Sequence, residues 1–506
     1  MDNKFGNGRR AMKSGQAKFH NAANSSLTLG NLRFRMLMPE TIIRVLSNLR
    51  TNEFAPRLFA VLAVILGITW AFVMPALGVA DENRHFLRAY GVSQGEWIGS
   101  AAAAVPQSLS ALESASLKNT IFDGQDHYQV LAPSLRKQWE QPLLVHQTLP
   151  RANPAANLYS FVPYLPQAAA IAFARWAGMP AIGLMFAARL ANLAAYVGLT
   201  SFALFLMPDF QLLLLAIALM PMSLHQAASA SADGLTLATT FLFVAYILRL
   251  AFDPSIHQLT WKQAGMLALL AIVNALCKFN LFALALLFLI PGARFGSVRR
   301  QALMLAGISL AAICSAGAWQ ASNQRNIHEF ALSRQGRNID TVANFRFVRQ
   351  HPVRFALAMA KTVRHPRLKQ FVGTFGWLNW PLRYRVTLGY IALLFLLGTQ
   401  RHVLIRPFGL RDRTLLIGTF AATMLALDIL IWTFETNADA LRQAAGGEIS
   451  LGFQGRYLIP LAMLPFLFFN GLIRPLPIWM LSIGCLGSVL FANMMGFRTV
   501  LTAVHP

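Results

Sequence analysis

Asp81 and Glu82 stand side by side in "GVADENRHFLRAY" (78–90), followed within six positions by Arg84, His85 and Arg88. Adjacent carboxylates beside an imidazole and two guanidiniums are the ingredients of an acid–base site. A carboxylate can take the proton of an attacking hydroxyl while an arginine neutralises a phosphate. On a helix, Asp81, His85 and Arg88 share one face, and Glu82 lies one turn before His85. Asp81 also reads as a helix N-cap with Glu82 in the first turn, and the two roles can coexist. The spacing from Glu82 to His85 admits a divalent metal, but one Glu and one His are too few ligands to predict one.

Other residues could complete such a site. Ser231 and Asp233 lie in "HQAASASADG" (225–234), a turn of small residues that also reads as a helix cap. Lys278 in "CKFN" and Arg456 in "FQGRYLIP" are isolated cations beside apolar runs; each alone reads as a snorkelling side chain, and together with the acids they form an anion-binding rim. Segment 322–385 carries a dozen Lys and Arg, Arg346 and Arg349 among them, against only Glu329 and Asp340. Its stretch "FRFVRQHPVRFALAMAKTVRHPRLKQF" has the pattern of a basic amphipathic segment lying on a membrane interface. It suits anionic lipid in general or, more specifically, a lipid phosphate. Trp377 and Asn379 in "GTFGWLNWP" add interface residues.

What must hold these residues is an all-α polytopic membrane protein. Of 506 residues, 56% are hydrophobic and 13% charged, and the apolar ones come in long runs. In lipid, helices satisfy the backbone internally. Runs with room to cross lie at 58–79, 182–206, 211–225, 235–252, 263–277, 279–292, 302–321, 386–399, 414–434, 457–470 and 477–495. The stretch 159–178 carries Pro163, Pro166 and Arg175; if it crossed, the basic loops 292–300 and 399–413 would fall outside. It is therefore read as a surface or re-entrant segment. About eleven crossings follow, with the N-terminus inside and the C-terminus outside. Runs 263–277 and 279–292 are a short pair broken at "CKFN", as membrane folds use to build sites at depth.

Residues 1–57, with ten Lys/Arg against three acids, read as a basic, disordered cytoplasmic tail, and 58–506 as the transmembrane domain. The first outer loop (80–181), the short loop 225–234 and the basic loop 322–385 share the extracytoplasmic face. The net charge of +24 suits membranes and lipid phosphates. Nucleic acid is set aside for want of a soluble basic domain or an aromatic-laced basic groove. Cys277, Cys314 and Cys485 lie in apolar runs without a CxxC pair, which argues against disulfides and zinc sites. No cleavable signal peptide is visible, because the first apolar run is too long and too late.

The ordered segments "ADENRHFLRAY", "YSFVPYLPQ", "AARLANL", "PMSLHQAASASADGL", "CKFN", "VGTFGWLNWPL" and "QGRYLIPL" span nearly the whole chain after the tail. In that succession the chain resembles a bacterial family of predicted multi-pass membrane proteins, domain of unknown function 2142. That family in turn resembles the GT-C glycosyltransferases, which take a sugar from a polyprenyl-linked donor and use an acidic residue of the first outer loop. The resemblance implies a GT-C-like fold, a catalytic role for Asp81 with Glu82, and a supporting role for Asp233. The chain has Ala80 where the family's "PDE…H" pattern has Pro, which alters how the helix exits and leaves the acids in place.

The expected function is transfer of a sugar from an undecaprenyl-phosphate-type donor to a cell-envelope glycan or lipid acceptor, outside a bacterial inner membrane. Asp81 and Glu82 would be catalytic, with His85, Arg88, Ser231 and Asp233 supporting the acceptor. Lys278, Arg346, Arg349 and Arg456 would bind the lipid phosphate. No cofactor is assigned, and a divalent metal is admitted. Two other classes fit parts of the pattern: a flippase for lipid-linked glycans, and a non-catalytic subunit of an envelope-assembly complex.

Overall fold

The computed structural model describes residues 54–100, 103–122, 125–144, 146–151, 155–278, 281–335, 339–362, 365–400, 407–436 and 453–505. The tail to residue 53 lies outside them, whereas 54–57 form the first turn of α1 (Phe54–Val73) rather than part of the tail. In chain order there follow α2 (Glu82–Ser93), α3 (Gln107–Ser116), α4 (Leu135–Glu140), α5 (Leu165–Trp176) and α6 (Ala181–Leu206). Next come α7 (Gln211–Ala218), α8 (Pro221–Ala227), α9 (Asp233–Phe252), α10 (Trp261–Lys278) and α11 (Val298–Ser322). The rest are α12 (Gln324–Gln335), α13 (Thr341–Gln350), α14 (Pro352–Thr362), α15 (His365–Val372), α16 (Tyr384–Thr399), α17 (Leu410–Glu435), α18 (Met463–Phe468) and α19 (Ile478–Val504).

Among the described residues, six helices are long and apolar enough to cross a membrane: α1, α6, α9, α11, α17 and α19. The other expected crossings fall on shorter pieces. Run 211–225 is broken into α7 and α8 before Pro221, whose ring cannot continue a helix. Run 279–292 meets a 3-10 helix at Leu281–Leu289, and run 457–470 meets another at Gly455–Leu461, which contains Pro460 and leads into α18. Helix α5 has 12 residues, about 18 Å at helical rise, which is short of the hydrocarbon thickness. It packs on α2 and α6, in keeping with a segment that does not cross.

α9 sits at the centre, buried along 89% of its most apolar window, whereas α17 is buried along only 17% of its own. Val61 and Ile65 on α1, Leu310 on α11, Leu425 on α17 and Phe491 on α19 turn outward. In water such an apolar belt would be a liability; against lipid it is the matching surface. The two ends of the bundle are distinct. At one, Phe210 and Phe252 pack on Phe408, Arg294 donates to Asp253 O, and Arg413 to Asn470 O. At the other lie the residues of the acidic–basic cluster.

Strands depart from the all-helical expectation. β1 (Ala103–Pro106) pairs with β4 (Thr148–Arg151), β2 (Leu117–Phe122) with β3 (Gln125–Val130), and β5 (Thr374–Phe375) with β6 (Trp380–Pro381), all antiparallel. They fall in polar segments between apolar runs, where short pairings satisfy backbone groups that no helix covers. The stretch 322–385 is itself largely helical, α12 to α15. Phe347, Phe355 and Met359 there pack on Trp432 of α17.

Candidate functional site

α1 stops at "MPALGVAD", where Pro75 and Leu77 (φ 55°) turn the chain. Its terminal carbonyls need donors, and Arg189 of α6 supplies them, bonding Ala71 O (2.7 Å), Met74 O (2.9 Å) and Pro75 O (2.8 Å). The same guanidinium binds Glu82 through Nε–Oε1 (2.7 Å) and Nη2–Oε2 (2.6 Å), with neither side chain exposed. Glu82 also accepts from the Ala230 amide (2.9 Å) and the Val79 amide (3.3 Å). Both its oxygens are thus engaged in tying α1, α2, α6 and the 228–232 turn together. Glu82, expected from the sequence to be catalytic beside Asp81, is fully buried here and bonded through both oxygens.

Asp81 occupies the N-cap position of α2 but does not cap it: its backbone is left-handed (φ 65°) and its side chain bonds no α2 amide. That uncommon backbone turns the carboxylate the other way, so that Oδ2 accepts from Arg456 Nη2 at 2.5 Å. Arg456 Nη1 also donates to Ala80 O (3.1 Å) and Gln226 Oε1 (3.3 Å), and lies 3.8 Å from Asp233 Oδ2. Lys278 Nζ donates to Asp233 Oδ1 at 2.9 Å. Asp81, Arg456, Asp233 and Lys278 therefore form a chain of alternating charge at one end of the bundle. Arg456 is 3% exposed, whereas Asp81 keeps 30% of its side chain accessible. Tyr457 floors the cluster, with Lys278 Nζ 4.5 Å and Arg456 Cζ 5.6 Å from its ring centre.

The turn that delivers Asp233 is held from outside. Asn192 Nδ2 donates to Ser229 O (2.7 Å) and Ser231 O (3.1 Å), and Gln167 Nε2 to Ser231 O (2.9 Å). Ser231 Oγ accepts from Ser229 Oγ and from the Asp233 amide, a positioning role. Small residues are required there: a Cβ on Gly234 would sit 2.5 Å from Asn192 Nδ2.

His85 is buried, with Nδ1 2.6 Å from Tyr164 Oη and its ring edge-on to Tyr159. Burial pushes its imidazole down to about 4, against the pull of Asp81 and Asp233, so it is neutral near neutrality. Burial raises the Asp81 carboxyl, but Arg456, Arg84, His85 and the Arg456 hydrogen bond outweigh it, holding the group below the ordinary carboxylate value. Glu82 faces Arg189 and His85 faces Tyr164, so the two do not converge on a metal position.

The remaining candidates lie elsewhere. Arg88 donates to Glu96 O (2.7 Å) and Trp97 O (2.6 Å) and so braces its own loop. Arg346 and Arg349 are exposed on α13, which Asn344 anchors to Thr433 O and Thr436 O of the α17 end, and no contact joins them to the Asp81 cluster among the described residues. Trp377 stacks on Tyr128 with ring centres 4.0 Å apart and donates to Leu77 O (3.4 Å), while Asn379 donates to Tyr128 O (3.4 Å). These two clasp the β2–β3 hairpin to the loop that follows α15.

Sequence reasoning assigned no role to Arg189, Gln226, Tyr159, Tyr164 or Tyr457. Arg189 had a usable signal, a lone charge inside the apolar run 182–206. The tyrosines had none beyond proximity to motifs.

A family model described as "Predicted membrane protein (DUF2142)" matches residues 64–465, and so most of the chain, from within α1 to within α18. No curated protein and no solved structure matches it.

Proposed function

The chain belongs to the DUF2142 family of predicted membrane proteins, and from that premise we propose that it is a membrane glycosyltransferase. It moves a sugar from a polyprenyl-phosphate-linked donor to a cell-envelope glycan or lipid acceptor, at the extracytoplasmic face of a bacterial inner membrane. The observation that carries this reading is the partly accessible Asp81 carboxylate, turned by its left-handed backbone onto Arg456 beside the Asp233–Lys278 pair.

The chemistry follows from the charges. An acceptor hydroxyl gives its proton to Asp81 as its oxygen bonds the anomeric carbon; the bond from that carbon to the carrier phosphate breaks, and the phosphate leaves with the electron pair. Protonation removes the anion that Arg456 is paired with at the moment the leaving phosphate gains charge. The guanidinium, with Lys278 beside it, is then released to the phosphate in a site poor in water. Asp233 holds both cations between turnovers.

A GT-C-like threading with eleven passages is part of the proposal. The short segments support it, since α7 with α8, α10, the 281–289 helix, α16 and the 455–468 stretch run between the same two ends as the long helices. Arg57, Arg249, Lys262, Arg300, Arg411 and Arg474 belong to the end away from Asp81, which supports reading that end as the cytoplasmic one.

Asp81→Asn is the test, read by mass spectrometry of surface glycans and lipid intermediates. The variant inserts normally, and its glycan lacks one sugar or is not extended. An unchanged glycan sinks the base assignment; an unmodified lipid intermediate held on the cytosolic side speaks for a flippase.

A further inference from the structure

Helices α13 and α14 carry apolar residues on two opposite faces, and one of those faces is already matched. Phe347 stacks on Trp432 of α17 with ring centres 5.5 Å apart, and Phe355 meets the same ring edge-on at 5.6 Å. Met359 and Val348 pack into the same cluster. Asn344 donates from this side to Thr433 O (3.1 Å) and Thr436 O (2.7 Å), closing carbonyls at the end of α17.

The other face is open and of mixed character. At about 100° per residue, Phe345, Arg346 and Arg349 fall on the side of α13 away from Asn344 and Phe347. Val353 and Leu357 fall opposite Phe355 and Met359 on α14, with Arg354 beside them. All three apolar side chains are more than half exposed, and the three arginines are exposed with them. The one acid described between 339 and 362 is Asp340, which is occupied by the Val342 and Ala343 amides at the start of α13. The face is therefore cationic and apolar at once.

Its depth is fixed by Trp432. Leu430 is two residues earlier on α17, about 3 Å along the axis, and is itself more than half exposed, as the rest of the apolar belt is. The two helices are thus docked where that belt ends, at the level of lipid headgroups. Aliphatic and aromatic side chains there meet acyl chains, while guanidiniums reach phosphates. Three guanidiniums spread along two helices suit the many phosphates of a leaflet better than the single one of a carrier. A zwitterionic headgroup brings its own cation to each phosphate, whereas an anionic one leaves the charge to the arginines.

We propose that the outward face of α13 and α14 lies in the leaflet at the Asp81 end of the bundle and recruits anionic phospholipid from it. Arg346, Arg349 and Arg354 take the phosphates, and Phe345, Val353 and Leu357 lie among the acyl chains. This stands apart from the transferase reading, since the same face would anchor a flippase or a scaffold equally well.

Contact with chosen lipids tests it. In a Cys314→Ala background, Phe345→Cys is labelled with a fluorescent nitrobenzoxadiazole group, and the full-length protein is placed in phosphatidylcholine nanodiscs. Phosphatidylglycerol or phosphatidylcholine with brominated acyl chains is then added as the quencher. Brominated phosphatidylglycerol should quench at mole fractions about tenfold or more lower than brominated phosphatidylcholine, since each arginine at an anionic surface contributes about fivefold. Arg346→Gln, Arg349→Gln and Arg354→Gln together erase that preference and leave the quenching by acyl chains. Leu357→Cys, labelled in place of Phe345→Cys, repeats the pattern from α14 and covers a first label that disturbs the fold. A label that acrylamide reaches from water and neither brominated lipid quenches overturns the proposal and leaves the face to a protein partner. Equal quenching by the two lipids with the arginines intact overturns the recruitment of anionic lipid. A preference that survives the triple substitution overturns the role of the arginines.

Discussion

Arg189 and Glu82 form two parallel hydrogen bonds, 2.7 and 2.6 Å long, with both side chains fully buried, and every other N–H of that guanidinium goes to a carbonyl at the end of α1. A pair so placed is expensive to break from one side, because the survivor is a buried, uncompensated charge. Glu82→Gln should lower stability by about 3–5 kcal/mol, read as a fall in thermal midpoint in detergent. Arg189→Lys should fare little better, since an ammonium cannot reproduce the fork. Asp81→Asn, one residue away and partly accessible, should melt near wild type. A Glu82→Gln protein that melts normally but transfers no sugar would return Glu82 to the chemistry.

Gly455 explains why the residue before Arg456 must be small. A Cβ there would lie 2.0 Å from Arg367 O and 2.7 Å from the Phe371 amide, both backbone atoms that no rotamer change can move. Gly455→Ala should therefore push α15 away, cost about 1–3 kcal/mol or more, and shift Arg456 from Asp81, so carrier binding falls along with the melting point. Gly418→Ala, in the middle of α17 with nothing within 4 Å of the added carbon, is the control and should hold or gain about 0.5–1 kcal/mol. Matched effects at the two glycines would contradict the packing argument.

Much of this arrangement is legible in the sequence, for identifiable reasons. Membrane helices announce themselves by length and apolarity, so the runs that became α1, α6, α9, α11, α17 and α19 could be read directly. Asp81, Asp233, Lys278 and Arg456 could each be singled out because charge beside an apolar run is rare. Which of two neighbouring acids faces the cluster could not: the Asp81 backbone is left-handed, a conformation Asp enters more readily than Glu, but that preference does not single out position 81. The placement of Arg346 and Arg349 was not legible either. Composition registers a basic loop, but their placement on α13 is set by Asn344 and Phe347 docking on α17.

His85 should make stability depend on pH. Its imidazole is held at about 4 in the folded protein against 6.5 unfolded, chiefly by burial. Above 6.5 neither state is protonated and the full stability is present. As pH falls from there, the unfolded chain takes up a proton that the folded one refuses, and stability is lost down to about 4, by on the order of 3 kcal/mol in all. The Asp81 carboxyl, held below its ordinary value of 3.8, adds to the loss only at the acid end of that window and below it. His85→Gln can still bond Tyr164 but has nothing to titrate, so thermal midpoints of the two proteins should converge between pH 7 and pH 4.5. Parallel curves would mean that His85 is not held neutral by its surroundings.

The orientation of the bundle is the premise on which the donor chemistry stands, and it can be checked without a substrate. Cys277 and Cys485 are buried and Cys314 is exposed, so a Cys314→Ala background leaves no accessible thiol among the described residues. Lys137 on α4 and Gln350 on α13 are exposed on the segments that join the Asp81 end, while Ser255 and Ser297 are exposed at the other. A membrane-impermeant maleimide applied to intact cells, past an opened outer envelope, should label Lys137→Cys and Gln350→Cys. On the proposed orientation, which puts the arginines of that end in the cytoplasm, it should reach Ser255→Cys and Ser297→Cys only after the inner membrane is lysed. Labels at 137 and 350 that fall on opposite sides would separate the acidic pair from the basic helices and undo the threading. Both sites labelled only after lysis would put Asp81 on the side where nucleotide-activated sugars are available and remove the reason for a lipid-borne donor.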